Sequence, residues 1–158
     1  MKAPRVQRWL AVMCLIGASV YASARALPAR GQPAPATGQV VVQVLGVADA
    51  EGQVLVALHR SPASFPDHAE RAYGRRAVKA RAGSIEVVFD GVPPGPFAVS
   101  AFHDSDRDFE LDTGLFGIPQ EDYGFSRDAR KPFGPPDFAA ARLTLRPGEH
   151  MRVRVRVH

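Results

Sequence analysis

The strongest constraint on the fold is the period-two alternation of apolar and polar residues. It is strict at the C-terminal end, where every second residue from Met151 to Val157 is apolar and the residues between are arginines. Such alternation is typical of a β-strand with one face in the core and one in water. Shorter runs between turn residues extend the pattern, and together they predict strands near residues 40–45, 54–58, 77–80, 85–89, 97–101, 143–145 and 151–157.

Short strands without a long amphipathic helix predict an all-β fold. The expected architecture is an antiparallel two-sheet sandwich of about seven strands, of the immunoglobulin or transthyretin kind, with one long irregular loop at residues 104–138. This loop carries many large apolar side chains, so we expect it to pack on the sandwich: Leu115, Phe116, Ile118, Tyr123, Phe125, Phe133 and Phe138.

The N-terminal segment predicts export. Three bases, Lys2, Arg5 and Arg8, precede an uncharged run of about 12 residues, and Ala22-Ser23-Ala24 offers small residues for cleavage. A membrane-spanning helix needs about 20 apolar residues, which argues against a retained anchor. We therefore predict a signal peptide at 1–24, a flexible linker at 25–38 and a β-sandwich domain at 39–158, periplasmic or secreted. Ala24-Arg25-Ala26 is a second candidate cleavage point.

Removing the predicted signal changes the charge balance. The chain has 20 Lys and Arg against 16 Asp and Glu, and the signal takes three of the bases, so 17 against 16 leaves a net charge of +1. A nucleic-acid partner loses its main support, because such partners select strongly basic surfaces. The one cysteine, Cys14, lies in the signal, so disulfides cannot stabilise the mature domain.

An acidic loop follows the predicted strand that ends at His103. Carboxylates occupy every second position, and these five residues are the predicted metal ligands: Asp104, Asp106, Asp108, Glu110 and Asp112. Calcium prefers about six to eight oxygen ligands, which loops supply at alternating positions. Calcium is therefore the predicted cofactor, with Glu110 offering its backbone carbonyl and Glu121 or Asp122 returning to complete the shell.

The acidic loop departs from an EF-hand in two places and in its context. Phe109 stands where a calcium loop prefers glycine, and Leu115 where an EF-hand has a bidentate glutamate. A strand leads into the loop instead of a helix, so the pattern argues against an EF-hand and leaves a calcium loop on a β-scaffold. The alternative for the same residues is a solvated acidic loop paired with nearby arginines. Hard oxygen donors with a single nearby histidine argue against zinc.

Three functional hypotheses remain open on the sequence alone, and the third is a scaffold without a ligand, in which the acidic loop is merely solvated. The leading one is a non-enzymatic module that binds a protein or glycan partner in the cell envelope. The alternative is a small periplasmic hydrolase with a site at His103 and the adjacent carboxylates, although no catalytic residue can be assigned. We expect His103 to hydrogen-bond a loop carboxylate.

A basic stripe is predicted on the last strand. Arg152, Arg154 and Arg156 could bind an anionic polymer or lipid headgroups. A charged, solvent-facing strand that resists aggregation is the favoured interpretation.

Several motifs together carry a resemblance to a known family. They are Phe89-Asp90-Gly91-Val92-Pro93-Pro94-Gly95, Phe102-His103-Asp104, Leu115-Phe116-Gly117-Ile118-Pro119, Tyr123-Gly124-Phe125-Ser126 and Gly134-Pro135-Pro136-Asp137-Phe138. Over roughly residues 38–158 the chain resembles the bacterial exported family catalogued as domain of unknown function 2141. The resemblance implies a small secreted or periplasmic sandwich, similar to transthyretin-like or carboxypeptidase-regulatory-like domains, and no established activity. In the family loop, asparagines match Asp106 and Asp108, and a glycine matches Phe109.

Overall fold

The described part of the chain, in a computed structural model, covers residues 35–115 and 118–158. The predicted signal peptide and most of the predicted linker lie outside the described residues, as do Phe116 and Gly117. The described residues belong to one compact unit. Among them, no helix has both the length and the apolar character needed to cross a membrane.

Eight strands are described within residues 35–115 and 118–158, which confirms the all-β prediction. They are β1 (Gly38–Val47), β2 (Gln53–His59), β3 (Gly74–Lys79), β4 (Gly83–Val92), β5 (Gly95–Asp104), β6 (Tyr123–Phe125), β7 (Leu143–Leu145) and β8 (His150–Arg156). The helical elements described are short: α1 (Phe138–Ala141) and 3-10 turns at Ala69–Arg71 and Ser126–Asp128. β6 is the one strand described within the region predicted as irregular, where three residues give too short a run for a visible period.

The strands form two sheets, as predicted. One sheet has the order β4-β1-β8, and the other has the order β3-β2-β5-β6, with β7 also paired to β5. One pair departs from the antiparallel expectation, because β1 and β8 run parallel from Gln39 opposite His150 to Leu45 opposite Arg156. Parallel neighbours need a long connection, and here most of the domain lies between the first and last strands.

The main core lies between the two sheets and is built by the alternate residues of each strand. Val40, Val42 and Val44 of β1 are fully buried, while the opposite face of β1 is only half-buried. The facing strands contribute residues of the same kind, including Val54, Val56, Leu58, Phe97, Val99, Val153 and Val155. Burying each such side chain contributes about 1.5–3 kcal/mol, so this core can hold the domain without disulfides.

A second, smaller cluster covers the outer face of the five-stranded sheet. It contains Phe65, Ala98, Phe125, Phe138 and Ala141, with Tyr123 packed against it. The prediction that the long loop packs on the sandwich is therefore confirmed for Tyr123, Phe125 and Phe138.

The same prediction is wrong for three apolar residues of the long loop. Leu115, Ile118 and Phe133 are 84%, 63% and 90% exposed. Beside them, the Gly114 amide bonds to the Ile118 carbonyl at 2.7 Å, and Thr113 and Pro119 form an isolated antiparallel bridge. These backbone contacts do not require the Leu115 and Ile118 side chains to be buried.

Ser126 joins the long loop to β5. β6 and β7 lie along the same edge of β5, opposite residues 100–102 and 95–97, and the Val99 amide falls between them. Ser126 Oγ accepts the bond from that amide at 3.0 Å and donates to the Ala141 carbonyl at 2.6 Å. The pairing continues past β6, since the His103 amide bonds to the Asp122 carbonyl at 2.8 Å. The segment from residue 104 to residue 122, which contains the acidic loop, is thus joined to the sheet at both ends.

Candidate functional site

Asp104 is the last residue of β5 and anchors the acidic loop. Its side chain is fully buried, and its two oxygens accept three hydrogen bonds. Gln53 Nε2 of the neighbouring β2 donates to Oδ2 at 2.7 Å, the Arg107 amide donates to Oδ1 at 2.7 Å, and the Phe109 amide donates to Oδ2 at 3.2 Å. A buried carboxylate needs such partners, and here they also fold the loop around it.

Two opposing effects set the pKa of Asp104. Burial would raise that pKa, because desolvation disfavours the charged form. Hydrogen bonds from Gln53 and from the amides of Arg107, Phe109 and Asp108 together outweigh burial and lower the pKa below its usual value. Asp104 is therefore ionised at neutral pH.

Three carboxylates meet at the start of the loop. Asp104, Asp106 and Asp108 each present one oxygen, and these atoms lie within 4.8 Å of one another. Asp106 Oδ1 accepts the Asp108 amide at 3.2 Å, and Asp108 Oδ1 accepts the Glu110 amide at 2.8 Å. These are local Asx-type turns, in which an aspartate side chain bonds the amide two residues further on. The group can hold a metal ion.

The other two predicted ligands lie outside this group of three. Glu110 and Asp112 are exposed. The Asp112 amide donates to Glu121 Oε2 at 3.3 Å, and Glu121 Oε1 accepts from the Ser105 amide at 2.8 Å. Glu121 thus returns to the loop, as expected, but it bonds backbone amides on both arms. It acts as a brace across the acidic loop.

Phe109 takes the conformation for which calcium loops use glycine. Its φ is +69°, in the left-handed region, and Arg107 nearby has a φ of +68°. The turn is therefore kept although phenylalanine replaces the usual glycine, and the side chain of Phe109 makes this backbone conformation strained. The Phe109 side chain is 62% exposed, so burial offsets little of that strain.

Phe109→Gly is expected to stabilise the domain by about 0.5–1 kcal/mol. Relief of the left-handed conformation is worth about 1–2 kcal/mol, and the extra freedom of glycine in the unfolded chain removes part of the gain. Urea unfolding of the two proteins at pH 7 measures the difference. Phe109→Ala, which keeps the strain and removes the ring, serves as the control and should not be stabilised. A Phe109→Gly variant less stable than the wild type would contradict this account of the turn.

His103 does not face the acidic loop. Its Nε2 donates to the Glu51 carbonyl at 2.8 Å and lies 3.6 Å from Asp49 Oδ1, so the expected bond to a loop carboxylate is wrong. Successive residues of a strand point to opposite faces, which separates the side chains of His103 and Asp104. The hydrolase hypothesis required these groups to converge on one substrate, and this arrangement does not supply that geometry.

The three arginines of the basic stripe are exposed along β8. Arg152 Nη1 forms an ion pair with Glu86 Oε1 of β4 on the same face of the sheet. A charged, solvent-facing sheet surface accounts for this pair.

Sequence reasoning missed Gln53, whose amide reaches Asp104. The two residues are 51 positions apart, and only the register of β2 against β5 places them opposite each other. A polar residue at the start of a strand is too common to reveal such a partner.

Comparison with known proteins gives one match. The chain matches the family described as "Uncharacterized protein conserved in bacteria (DUF2141)" over residues 42–153. No curated protein and no solved structure matches the chain. The matched span is well over half of the 158 residues and includes the whole acidic loop. The chain therefore belongs to the bacterial family DUF2141.

Proposed function

We propose that the protein is an exported, non-enzymatic binding module of the cell envelope whose acidic loop holds a calcium ion. Export rests on the basic, apolar and small-residue pattern of residues 1–24. The binding role, toward a protein or glycan, rests on a rigid sandwich that presents a long loop at one strand end, an arrangement common among binding domains.

The observation that carries the calcium proposal is the environment of Asp104. A carboxylate held ionised at a buried position, with two more carboxylates within 4.8 Å, concentrates negative charge at one point. In residues 35–115 and 118–158, no lysine or arginine forms an ion pair with any of these three aspartates. A cation would remove their mutual repulsion.

The donor chemistry selects the type of cation. The three side chains offer only hard carboxylate oxygens, which suit calcium and magnesium better than zinc. Magnesium demands near-ideal octahedral geometry, whereas calcium accepts the irregular shells that loops build. Calcium outside the cytoplasm also suits a weak site, with a Kd of about 10⁻⁴–10⁻³ M in extracellular modules.

Calorimetric titration of the purified protein with calcium tests the proposal. We expect one site with a submillimolar to millimolar Kd, and no measurable binding after combined Asp106→Ala and Asp108→Ala substitution. Combined Asp106→Asn and Asp108→Asn substitution keeps an oxygen at each position and removes two charges, so this variant should bind calcium with intermediate affinity. Asp67→Ala removes an exposed carboxylate from another loop and should leave the affinity unchanged.

Two results would leave the loop as a merely solvated acidic segment. One is the absence of calcium binding at millimolar concentrations. The other is equal affinity in the wild type and in the double alanine variant.

A further inference from the structure

A cavity of about 140 Å³ lies between β6 and the C-terminal end of β8. Its lining includes the apolar residues Tyr123, Phe125 and Pro136 and the cationic residues Arg130, Lys131 and Arg156. An engineered apolar cavity of about 150 Å³ binds benzene, so this one accepts a ligand of about that size. An apolar pocket with a few convergent polar groups is the usual form of a small-molecule site.

Three cationic residues line this cavity against one acidic residue, Asp128. Lys131 Nζ lies 3.5 Å from Asp137 Oδ1, so its charge is partly balanced. Arg130 Nη2 instead contacts a ring nitrogen, Nδ1 of His158, at 3.1 Å. In the part of the chain that the structure describes, neither Arg130 nor Arg156 forms an ion pair with a carboxylate. An anion in the cavity would meet this excess of positive charge.

The backbone near the cavity adopts conformations that are unfavourable for non-glycine residues. Arg127 and Asp128 are consecutive non-glycine residues in the left-handed region, with φ of +63° and +50°, and Asp128 lines the cavity. A side chain at Gly124 would overlap the carbonyl oxygen of Arg156, so only glycine lets β6 approach β8 this closely. Conformations of this kind persist where the surroundings enforce them and concentrate at ligand sites.

We propose that this cavity binds a small organic carboxylate. The carboxylate would accept hydrogen bonds from Arg130 and Arg156, whose planar guanidinium groups match its geometry. The apolar body of the ligand would rest against Tyr123 and Phe125. This site goes beyond the proposed function, and its residues are separate from the carboxylates of the acidic loop.

Benzoate is the probe that tests the site, followed by amide chemical shifts in calcium-free buffer. We expect saturable shifts of Tyr123 and Gly124 with a millimolar Kd, and at least about tenfold weaker binding after Arg130→Gln or Arg156→Gln. Loss of a charge-assisted hydrogen bond has an effect of that order. Arg154→Gln is the matched control, because Arg154 lies on the same face of β8 without lining the cavity, and it should bind benzoate like the wild type.

Two further probes define the ligand class. Benzyl alcohol keeps the ring and lacks the charge, while inorganic phosphate keeps a charge and lacks the ring, so both should bind at least about tenfold more weakly than benzoate. The proposal is overturned if benzoate gives no saturable shifts, or if phosphate binds as well as benzoate. The proposal is also overturned if Arg154→Gln weakens benzoate binding as much as Arg156→Gln does, since general surface charge would then explain the binding. Because calcium is absent, none of these outcomes bears on the acidic loop.

Discussion

Acidification from pH 7 to pH 4 is expected to lower the free energy of unfolding by about 3 kcal/mol through His59 alone. This residue ends β2 and is fully buried. Burial lowers the pKa of His59 from 6.5 to about 4, against an opposing contribution from its hydrogen bond with Ser64. Phe65 packs edge-on against the imidazole, with ring centroids 5.3 Å apart, and helps to keep water away.

The hydrogen bonds of His59 fit a neutral imidazole. The Ser64 hydroxyl donates to the Ser61 carbonyl, so Ser64 Oγ accepts from His59 Nδ1 at 3.3 Å. His59 Nε2 then accepts from Ser100 Oγ at 2.9 Å. A second proton on the ring would face the Ser100 hydroxyl inside the protein, without water to solvate the charge.

The sign of the pH effect follows from the two pKa values of His59. The unfolded chain binds a proton near pH 6.5, whereas the folded protein binds it only near pH 4. The full contribution to stability is therefore present above pH 6.5 and is lost progressively as the pH falls to 4. Asp104, whose pKa is lowered below the usual carboxyl range, loses its contribution only at still lower pH.

Urea unfolding at pH 7, 5.5 and 4 measures this effect as a difference between proteins. His59→Gln keeps a donor and an acceptor and cannot titrate, so its stability should fall with pH by about 3 kcal/mol less than that of the wild type. His150→Gln replaces an exposed histidine and should retain the full dependence. If the stability of His59→Gln and of the wild type fell equally with pH, protonation of His59 would not destabilise the folded protein, and this account would be wrong.

Gly52→Ala is expected to destabilise the domain by about 3 kcal/mol. Gly52 precedes β2 and has a φ of +67°, which costs an alanine about 1–2 kcal/mol. A side chain there would also overlap the Asp104 carbonyl oxygen and come within 2.6 Å of the Ser105 Cα. These are backbone atoms at the start of the acidic loop, so the overlap can be removed only if the loop moves. Such a backbone shift costs about 1–3 kcal/mol more.

Gly91→Ala is the matched control for this clash. Gly91 has the same φ of +67°, but a side chain there meets nothing within 4 Å. Chemical denaturation of both variants therefore separates backbone conformation from contact with the loop, and calcium titration of Gly52→Ala should show weakened binding. Equal destabilisation by the two substitutions would mean that the close approach of Gly52 to Asp104 does not support the loop.

The sequence predicts those parts of the fold that depend on local pattern. Alternation along β8 and β1 is strong enough to assign strands and their buried faces. The parallel pairing of β1 with β8 is not predictable, because alternation says which face is buried and not which strand is adjacent. β6 was missed because it is held by pairing with β5 and by Ser126, both distant in sequence.

The candidate site divides in the same way. The spacing of Asp104, Asp106 and Asp108 was visible in the sequence, and the structure brings these three together. Glu110 and Asp112 continue the spacing but lie outside the group. The orientation of His103 toward Glu51 and the gathering of Arg130 and Arg156 at one cavity depend on tertiary packing.

The central claim is that a calcium ion stabilises the acidic loop, and thermal unfolding with and without calcium tests it most directly. At ten times its Kd, a ligand that binds only the folded state adds about 1.4 kcal/mol, which raises the midpoint of a domain of this size by about 5 °C. We predict that rise for the wild type at constant ionic strength, and none when Asp106 and Asp108 are both replaced by alanine. An unchanged midpoint in the wild type, or an equal rise in the double variant, would contradict the account.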